Sequence, residues 1–82
     1  MENKEILIRN LNKIHTTKLG NERIKNNLSI DNEDVILYCK NIILNEKCFI
    51  YKKGKNYYCN FNNIRITINS NSFTIITAHI IK

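Results

Sequence analysis

Histidine is the side-chain type that changes charge near neutral pH, and the chain has two, His15 and His79. Either fits the role of base or acid in metal-independent cleavage of a ribonucleic-acid backbone. One group takes the proton of the 2′-hydroxyl, another returns a proton to the leaving oxygen, and cations stabilise the phosphorane-like transition state. Arg23, Arg65 and Lys55 supply such cations, while Thr67 and Thr77 supply hydroxyls. The catalytic set singled out in this way is His15, Arg23, Arg65, Thr67, Thr77 and His79. Beside it, Lys52, Lys53 and Lys55 interleave with Tyr57 and Tyr58. That mixture suits single-stranded nucleic acid, whose bases stack on any ring while its backbone follows positive charge. Alternation sends one of the two tyrosines inward, so Tyr58 joins the three lysines as a binding residue and Tyr57 is assigned to the core. A plainer reading stands beside each choice: His79 packed or solvated near a strand end, His15 ending a helix, and the lysines forming an ordinary solvated surface.

Positioning these groups requires a change of structure half-way along the chain. Leu7, Leu11 and Ile14 recur at helical spacing within residues 4–14. Thr16 or Thr17 can cap a second helix carrying Leu19, Arg23, Ile24 and Leu28. A third, over residues 33–44, takes Asp31 or Asn32 as its cap and buries Val35, Cys39, Ile42 and Ile43, with its acidic first turn matched to the helix dipole. After Lys47 the period becomes two. Residues 48–52 and 56–61 flank a turn at Lys53-Gly54, Asn62-Asn63 leads into residues 64–69, and Ser70-Asn71 leads into residues 73–81. The expected fold is therefore α+β: two to three N-terminal helices, over about residues 4–44, on one face of a four-stranded antiparallel meander, over about residues 48–81, in one domain. In the third strand Ile64, Ile66 and Ile68 point to the helices and Arg65, Thr67 and Asn69 point away. If Ile76, Ala78 and Ile80 of the last strand also point inward, Thr77 and His79 share the open face with Arg65 and Thr67. Because both faces of that strand are apolar, its edge calls for a cover, either a helix or a second subunit.

Charge is divided unequally over these two halves. Residues 1–46 hold seven basic and seven acidic side chains, whereas residues 47–82 hold six basic ones and no acidic one. The formal net charge of +6 therefore belongs to the sheet half, and a field of one sign attracts polyanions and speeds their encounter. Abundant Ile, Asn and Lys, with no Pro or Trp, fit a low-GC bacterial genome or a phage of such a host. No apolar run reaches the length of a membrane span, and the first residues lack the pattern of a signal peptide, so a cytoplasmic protein without membrane contact is expected. Cys39, Cys48 and Cys59 have neither paired zinc-site spacing nor an even count for a disulfide framework. They read as buried small hydrophobes, with a reactive or metal-binding cysteine as the alternative. Gly54 lacks the spacing of a phosphate loop, and Asp31, Glu33 and Asp34 do not form a calcium loop. No metal and no cofactor is called for.

Ile14 through Gly20, Arg23-Ile24, Asn27-Leu28, Lys53 through Tyr58, and Ile66 through Asn69 together with Phe73 through His79 resemble a bacterial family catalogued as domain of unknown function 3781. The resemblance runs from Leu11 to His79, and it departs from the family pattern at Tyr57, where that pattern has tryptophan. It supplies positions without roles. At the level of architecture, helices followed by a four-stranded sheet carrying His, Arg, Lys and Thr are also similar to the barnase, EndoU, colicin and RelE-type ribonucleases, although fold does not fix function.

These observations point first to an RNA-binding protein, with a metal-independent endoribonuclease of toxin type as its catalytic form. The alternative from another class is a phage or mobile-element inhibitor that binds a host defence protein or ribonucleoprotein complex through its basic face or a strand edge. A third is a homo-oligomeric module without enzymatic activity, pairing its last strand across a homodimer axis.

Overall fold

The computed structural model describes residues 2–30 and 34–81. Three α-helices precede a four-stranded antiparallel sheet, the α+β arrangement expected from the change of hydrophobic period. The helices are α1 (Glu2–Arg9), α2 (Lys18–Leu28) and α3 (Val35–Leu44), and a 3-10 turn, η1 (Leu11–Lys13), follows the first. The strands β1 (Phe49–Lys53), β2 (Asn56–Phe61), β3 (Ile64–Asn69) and β4 (Ile75–Ile80) lie in chain order across the sheet.

Asparagine breaks the expected helix over residues 4–14. The Asn10 side-chain amide donates to the Ile6 carbonyl at 2.8 Å, sharing it with the Asn10 backbone amide at 3.1 Å, a local bond of the kind that makes asparagine a poor residue for a helix interior. The chain tightens into η1 instead. Leu7 and Ile14 still reach the core, and Leu11 is half-buried against it. At the start of α2 the two threonines divide the work. The Thr17 hydroxyl caps the helix by accepting from the Gly20 amide at 3.0 Å, whereas the Thr16 hydroxyl donates across to the Ile75 carbonyl at 2.9 Å. The helix ends at Ser29 in the left-handed region (φ 56°), where the Ile30 amide returns to the Lys25 carbonyl at 3.0 Å, the closure usual at helix C-termini. Asp34 caps α3 by accepting from the Leu37 amide at 3.2 Å, so α3 begins at Val35 rather than at residue 33. The anticipated caps Asp31 and Asn32, and Glu33 of the anticipated first turn, lie outside the described residues.

The expected inward face of α3, Val35, Cys39, Ile42 and Ile43, is buried. Together with Leu7, Ile14, Ile24 and Leu28 it meets Ile50, Tyr57, Cys59, Ile66, Ile68, Ile75 and Ala78 from one face of the sheet. Burying aliphatic side chains of this size is worth about 1.5–3 kcal/mol each, and this single layer between helices and sheet is the source of the fold's stability.

Turn chemistry shifts two boundaries. The first hairpin turns at Gly54-Lys55, one residue later than expected, because Lys53 still pairs with Asn56. Gly54 then sits first in the loop at φ +63°, a position where glycine avoids the clash a side chain would meet. The third turn is longer than Ser70-Asn71. The Asn69 carboxamide oxygen accepts from the amides of Asn71 at 2.9 Å and Ser72 at 3.0 Å, and Phe73 adopts φ 58°, so β4 starts at Ile75 instead of residue 73. A register shift opposite Thr67 and Ile68 follows at once. Ile68 faces Ile75, while Thr67 faces Thr77, which leaves Ile76 as the extra residue of a β-bulge. This corrects the expected inward set of the last strand. Ala78 is buried as anticipated, but Ile75 rather than Ile76 enters the core, and Ile76 and Ile80 are exposed. The bulge also explains why the strand reads as apolar on both faces.

The outer edge of β4 is covered in part by α2 and by the extended segment that precedes it. The Ile75 amide donates to the His15 carbonyl at 2.7 Å and the His15 amide to the Phe73 carbonyl at 3.2 Å. The Asn27 side-chain amide donates to the Ala78 carbonyl at 3.2 Å. Backbone groups that an added strand would need are thus already engaged at Ile75 and at Ala78.

Candidate nucleic-acid interface

The sheet face turned away from the helices is built as three cross-strand rows. Phe49, Asn60, Arg65 and His79 form the first, Tyr51, Tyr58, Thr67 and Thr77 the second, and Lys53, Asn56 and Asn69 the third. Alternation produces the rows: Ile50, Cys59, Ile66 and Ala78 point into the core, so their strand neighbours must point out. Among the described residues no helix lies on this face.

Aromatic rings occupy its β1–β2 side. Phe49 is 65% exposed, its ring centroid is 5.8 Å from that of Tyr51, and Tyr51 stacks on Tyr58 at 5.3 Å with the planes 24° apart. Arg65 continues the sequence of flat groups. Its guanidinium carbon lies 6.0 Å from the Tyr58 ring centroid, a cation–π separation, and its Nε donates to the Asn60 carboxamide oxygen at 3.0 Å. That bond orients the guanidinium while leaving its two terminal nitrogens free of side-chain partners among the described residues. Thr67 is buried at the centre of the face, and Thr77 and His79 flank it on β4. No strand contributes a carboxylate.

Of the residues expected to act, Arg65, Thr67, Thr77 and His79 do share this face, Arg65 opposite His79 and Thr67 opposite Thr77. Tyr58 adjoins Thr67, while Tyr57 is buried in the core. Lys53 projects from the same face, Lys55 lies in the adjoining turn, and Lys52 pairs with Tyr57 on the helix side of β1. Arg23 stands one helical turn before Asn27 on α2, and it is the Asn27 amide that reaches the Thr77 hydroxyl, at 3.4 Å.

His15 is elsewhere. It bridges to Thr74, five residues before His79, a separation of about 16 Å at the rise of an extended strand. Both of its ring nitrogens are engaged, Nδ1 with the Lys13 carbonyl at 2.8 Å and Nε2 with the Thr74 hydroxyl at 3.1 Å. A carbonyl only accepts, so Nδ1 carries the hydrogen, and in the neutral ring Nε2 accepts from Thr74. The two histidines therefore do not flank one phosphate.

Phe49, Tyr51 and Asn60 escaped the sequence reading. The first two had a signal, since inward Cys48 and Ile50 oblige Phe49 and Tyr51 to face outward. Asn27 entered the sequence reading only through the family resemblance and without a role, because only the tertiary packing of α2 against β4 brings it to Thr77 and Ala78.

On the helix side of the sheet a cavity of about 400 Å³ lies between α3 and the β2–β3 turn, lined by Tyr38, Asn41, Ile42, Asn45, Phe61, Asn62 and Ile64. Among the described residues there is no cluster of His, Cys, Asp and Glu suited to a metal ion, and no helix is long and apolar enough to cross a membrane.

Neither a curated protein nor a solved structure matches the chain. Residues 8–79 match the family model described as protein of unknown function DUF3781, which covers most of the sequence and agrees with the resemblance carried by the Ile14–Gly20 and Lys53–Tyr58 segments: the chain belongs to the DUF3781 family.

Proposed function

We propose that the open sheet face binds single-stranded RNA, with Phe49, Tyr51 and Tyr58 stacking on bases and Arg65, Lys53, Lys55 and Arg23 holding the phosphates. The observation that carries this reading is the continuous run of three rings and a guanidinium on a sheet face to which no strand contributes a carboxylate. Stacking tolerates any base, and cations beside the rings follow the backbone, which is the division of labour in single-strand binders. Thr67, Thr77, Asn60 and His79 provide hydrogen-bonding groups for ribose hydroxyls or base edges. Recognition is favoured over cleavage because a two-histidine acid–base mechanism needs both imidazoles at one phosphate, and His15 is held at the far end of β4.

The test is fluorescence anisotropy with a labelled single-stranded RNA of about eight nucleotides, within the usual range for a small binding face, followed by a denaturing gel of the same mixture in EDTA. Wild type is expected to bind at ~50 mM salt and leave the RNA intact. Phe49→Ala and Tyr58→Ala should each weaken binding by roughly 5- to 150-fold, the effect of losing one stacked base. Phe49 is mostly exposed, so its removal should leave the circular-dichroism spectrum unchanged. Affinity unaffected by both substitutions would remove the sheet face from consideration. Absence of RNA binding by the folded chain would turn attention to a protein partner, and cleavage abolished by His79→Ala would restore a catalytic role to the face.

A further inference from the structure

The two edges of the sheet differ. On β4 the Ile75 amide and the Ala78 carbonyl already have partners, whereas β1 ends the sheet with its outer side bare. Lys53 pairs with Asn56 around a two-residue turn, and the closing pair of such a hairpin is hydrogen-bonded. Pairs then alternate, so Tyr51 and Phe49 bond to Tyr58 and Asn60, while Ile50 and Lys52 turn their N–H and C=O groups away from β2. Among the described residues none of these outward groups has a hydrogen-bond partner. One residue earlier the edge closes: the Cys48 amide donates to the Asn45 carbonyl at 3.0 Å, and the Cys48 carbonyl accepts from the Lys4 ammonium at 3.4 Å.

Unpaired groups on a sheet edge are a template for another strand. We propose that this edge pairs with the same edge of a second copy, β1 antiparallel to β1 about a twofold axis at Tyr51, joining two sheets into one. With Ile50 and Lys52 as the outward residues, three antiparallel registers are open to two copies. Ile50 opposite the partner's Ile50 would set Lys52 against the partner's Cys48, whose amide and carbonyl are taken. Lys52 opposite the partner's Lys52 brings like charges face to face, which destabilises a sheet. Ile50 opposite the partner's Lys52 makes two complete pairs and has neither fault.

In that register every lysine of the strand meets an apolar or aromatic residue. Lys52 lies against Ile50 on the helix side, and Lys53 against Phe49 on the open face. Phe49, 65% exposed in the single chain, thereby gains an ammonium beside its ring, a cation–π contact. Tyr51 meets the partner's Tyr51. The partner's Gly54 arrives opposite Cys48, where a surface cavity of about 410 Å³, walled by Lys4, Glu46, Lys47, Cys48, Phe49 and Ile50, leaves room for the incoming turn. On the open face the row Thr77, Thr67, Tyr58, Tyr51 continues across the axis into the partner's Tyr51 and Tyr58. The use of that longer row by RNA rests on the function proposed above; the pairing itself does not.

Sedimentation of the purified chain without RNA reads the pairing alone. Wild type is expected to form, with rising concentration, a species of twice the 9.7 kDa of one chain. More of it should form at about 0.5 M than at about 50 mM salt, because screening relieves repulsion between two copies, whereas RNA binding should weaken over the same range. Lys52→Pro removes one outward N–H and no bond to β2, so it should stay monomeric with the circular-dichroism spectrum of wild type. Tyr51→Cys should give a disulfide-linked dimer under mild oxidation, since the residue faces its own copy at about 5 Å between β-carbons and the native cysteines are buried. Lys53→Cys should cross-link only when mixed with Phe49→Cys. A wild type that is monomeric at every concentration and salt level would overturn the proposal and leave the edge to a different strand, an acidic peptide being the one that Lys52 and Lys53 suit. A folded Lys52→Pro that still dimerises would overturn it too. If Lys52→Pro fails to fold, the cross-links decide: no link through Tyr51→Cys, or a link through Lys53→Cys alone, would refute the register.

Discussion

The segment His15-Thr16-Thr17 shows how neighbouring residues acquire unrelated tasks. His15 ties η1 to Thr74 through both ring nitrogens, Thr16 bonds across to β4, and Thr17 caps α2. Gly20 belongs to the same unit. A Cβ there would overlap the Thr16 hydroxyl and stand 3.1 Å from that of Thr17, and neither hydroxyl can yield without losing its bond. Gly20→Ala should therefore lower stability by about 1–3 kcal/mol through overpacking, even though alanine is the better helix former by about 1 kcal/mol. Chemical denaturation would measure this. Adding Thr16→Ala should remove the overlap, so the double variant should be more stable than the two single effects sum to, by at least about 0.5 kcal/mol. The histidines offer a second contrast at this scale. His15→Ala should destabilise the fold by about 1 kcal/mol, the usual worth of a hydrogen bond, with RNA affinity unchanged, while His79→Ala should weaken affinity with little change in stability. The reverse result would transfer the site to the N-terminal segment.

Among the elements, α2 and β4 determine one another. Gly20 lies beside Ile75 and Asn27 reaches Ala78. Seven helical residues and three strand residues advance by about 10 Å each, so the two run alongside in step. Asn27→Ala removes both of its bonds to β4 and should cost about 1–2 kcal/mol in a denaturant titration, with faster hydrogen exchange at the β4 edge. The end of α2 offers a gain instead. Ser29 holds a left-handed conformation that costs a non-glycine residue about 1 kcal/mol, so Ser29→Gly should stabilise the chain by roughly 0.5–1 kcal/mol, visible as a rise of several degrees in Tm. No rise would mean that the serine contributes a compensating bond.

At the scale of the whole molecule, charge and burial set the response to solution conditions. If four cations contact phosphate, the logarithm of RNA affinity should fall with the logarithm of salt concentration at a slope of about −3, and Arg65→Gln should reduce that slope by about 0.7. Stability should decline in alkali for a different reason. Burial raises Cys39 from 9.0 to about 12, so between those values the unfolded chain releases a proton that the folded chain keeps. The contribution is fully present below pH 9 and is lost toward pH 12, at up to about 1.4 kcal/mol per pH unit. Cys39→Ala should flatten this decline relative to wild type in denaturation series between pH 8 and pH 10.5.

Local periodicity determined what could be read from the sequence alone: the α+β class, the face of α3, the order of the strands, the inward isoleucines of β3 and the outward Arg65 and Thr67. These follow because a side chain's direction repeats every 3.6 residues in a helix and every two in a strand, whatever lies nearby. Other features depended on partners remote in the chain. Ile75 replaced Ile76 in the core because the Asn69 turn and the bulge reset the alternation by one residue. His15 and His79 were separated because β4 is extended between the points they occupy. Asn27 reached Thr77 and Ala78 only through the packing of α2 against β4. Sequence spacing specifies direction within an element, whereas distance between elements is set by packing and hydrogen bonding across the folded chain.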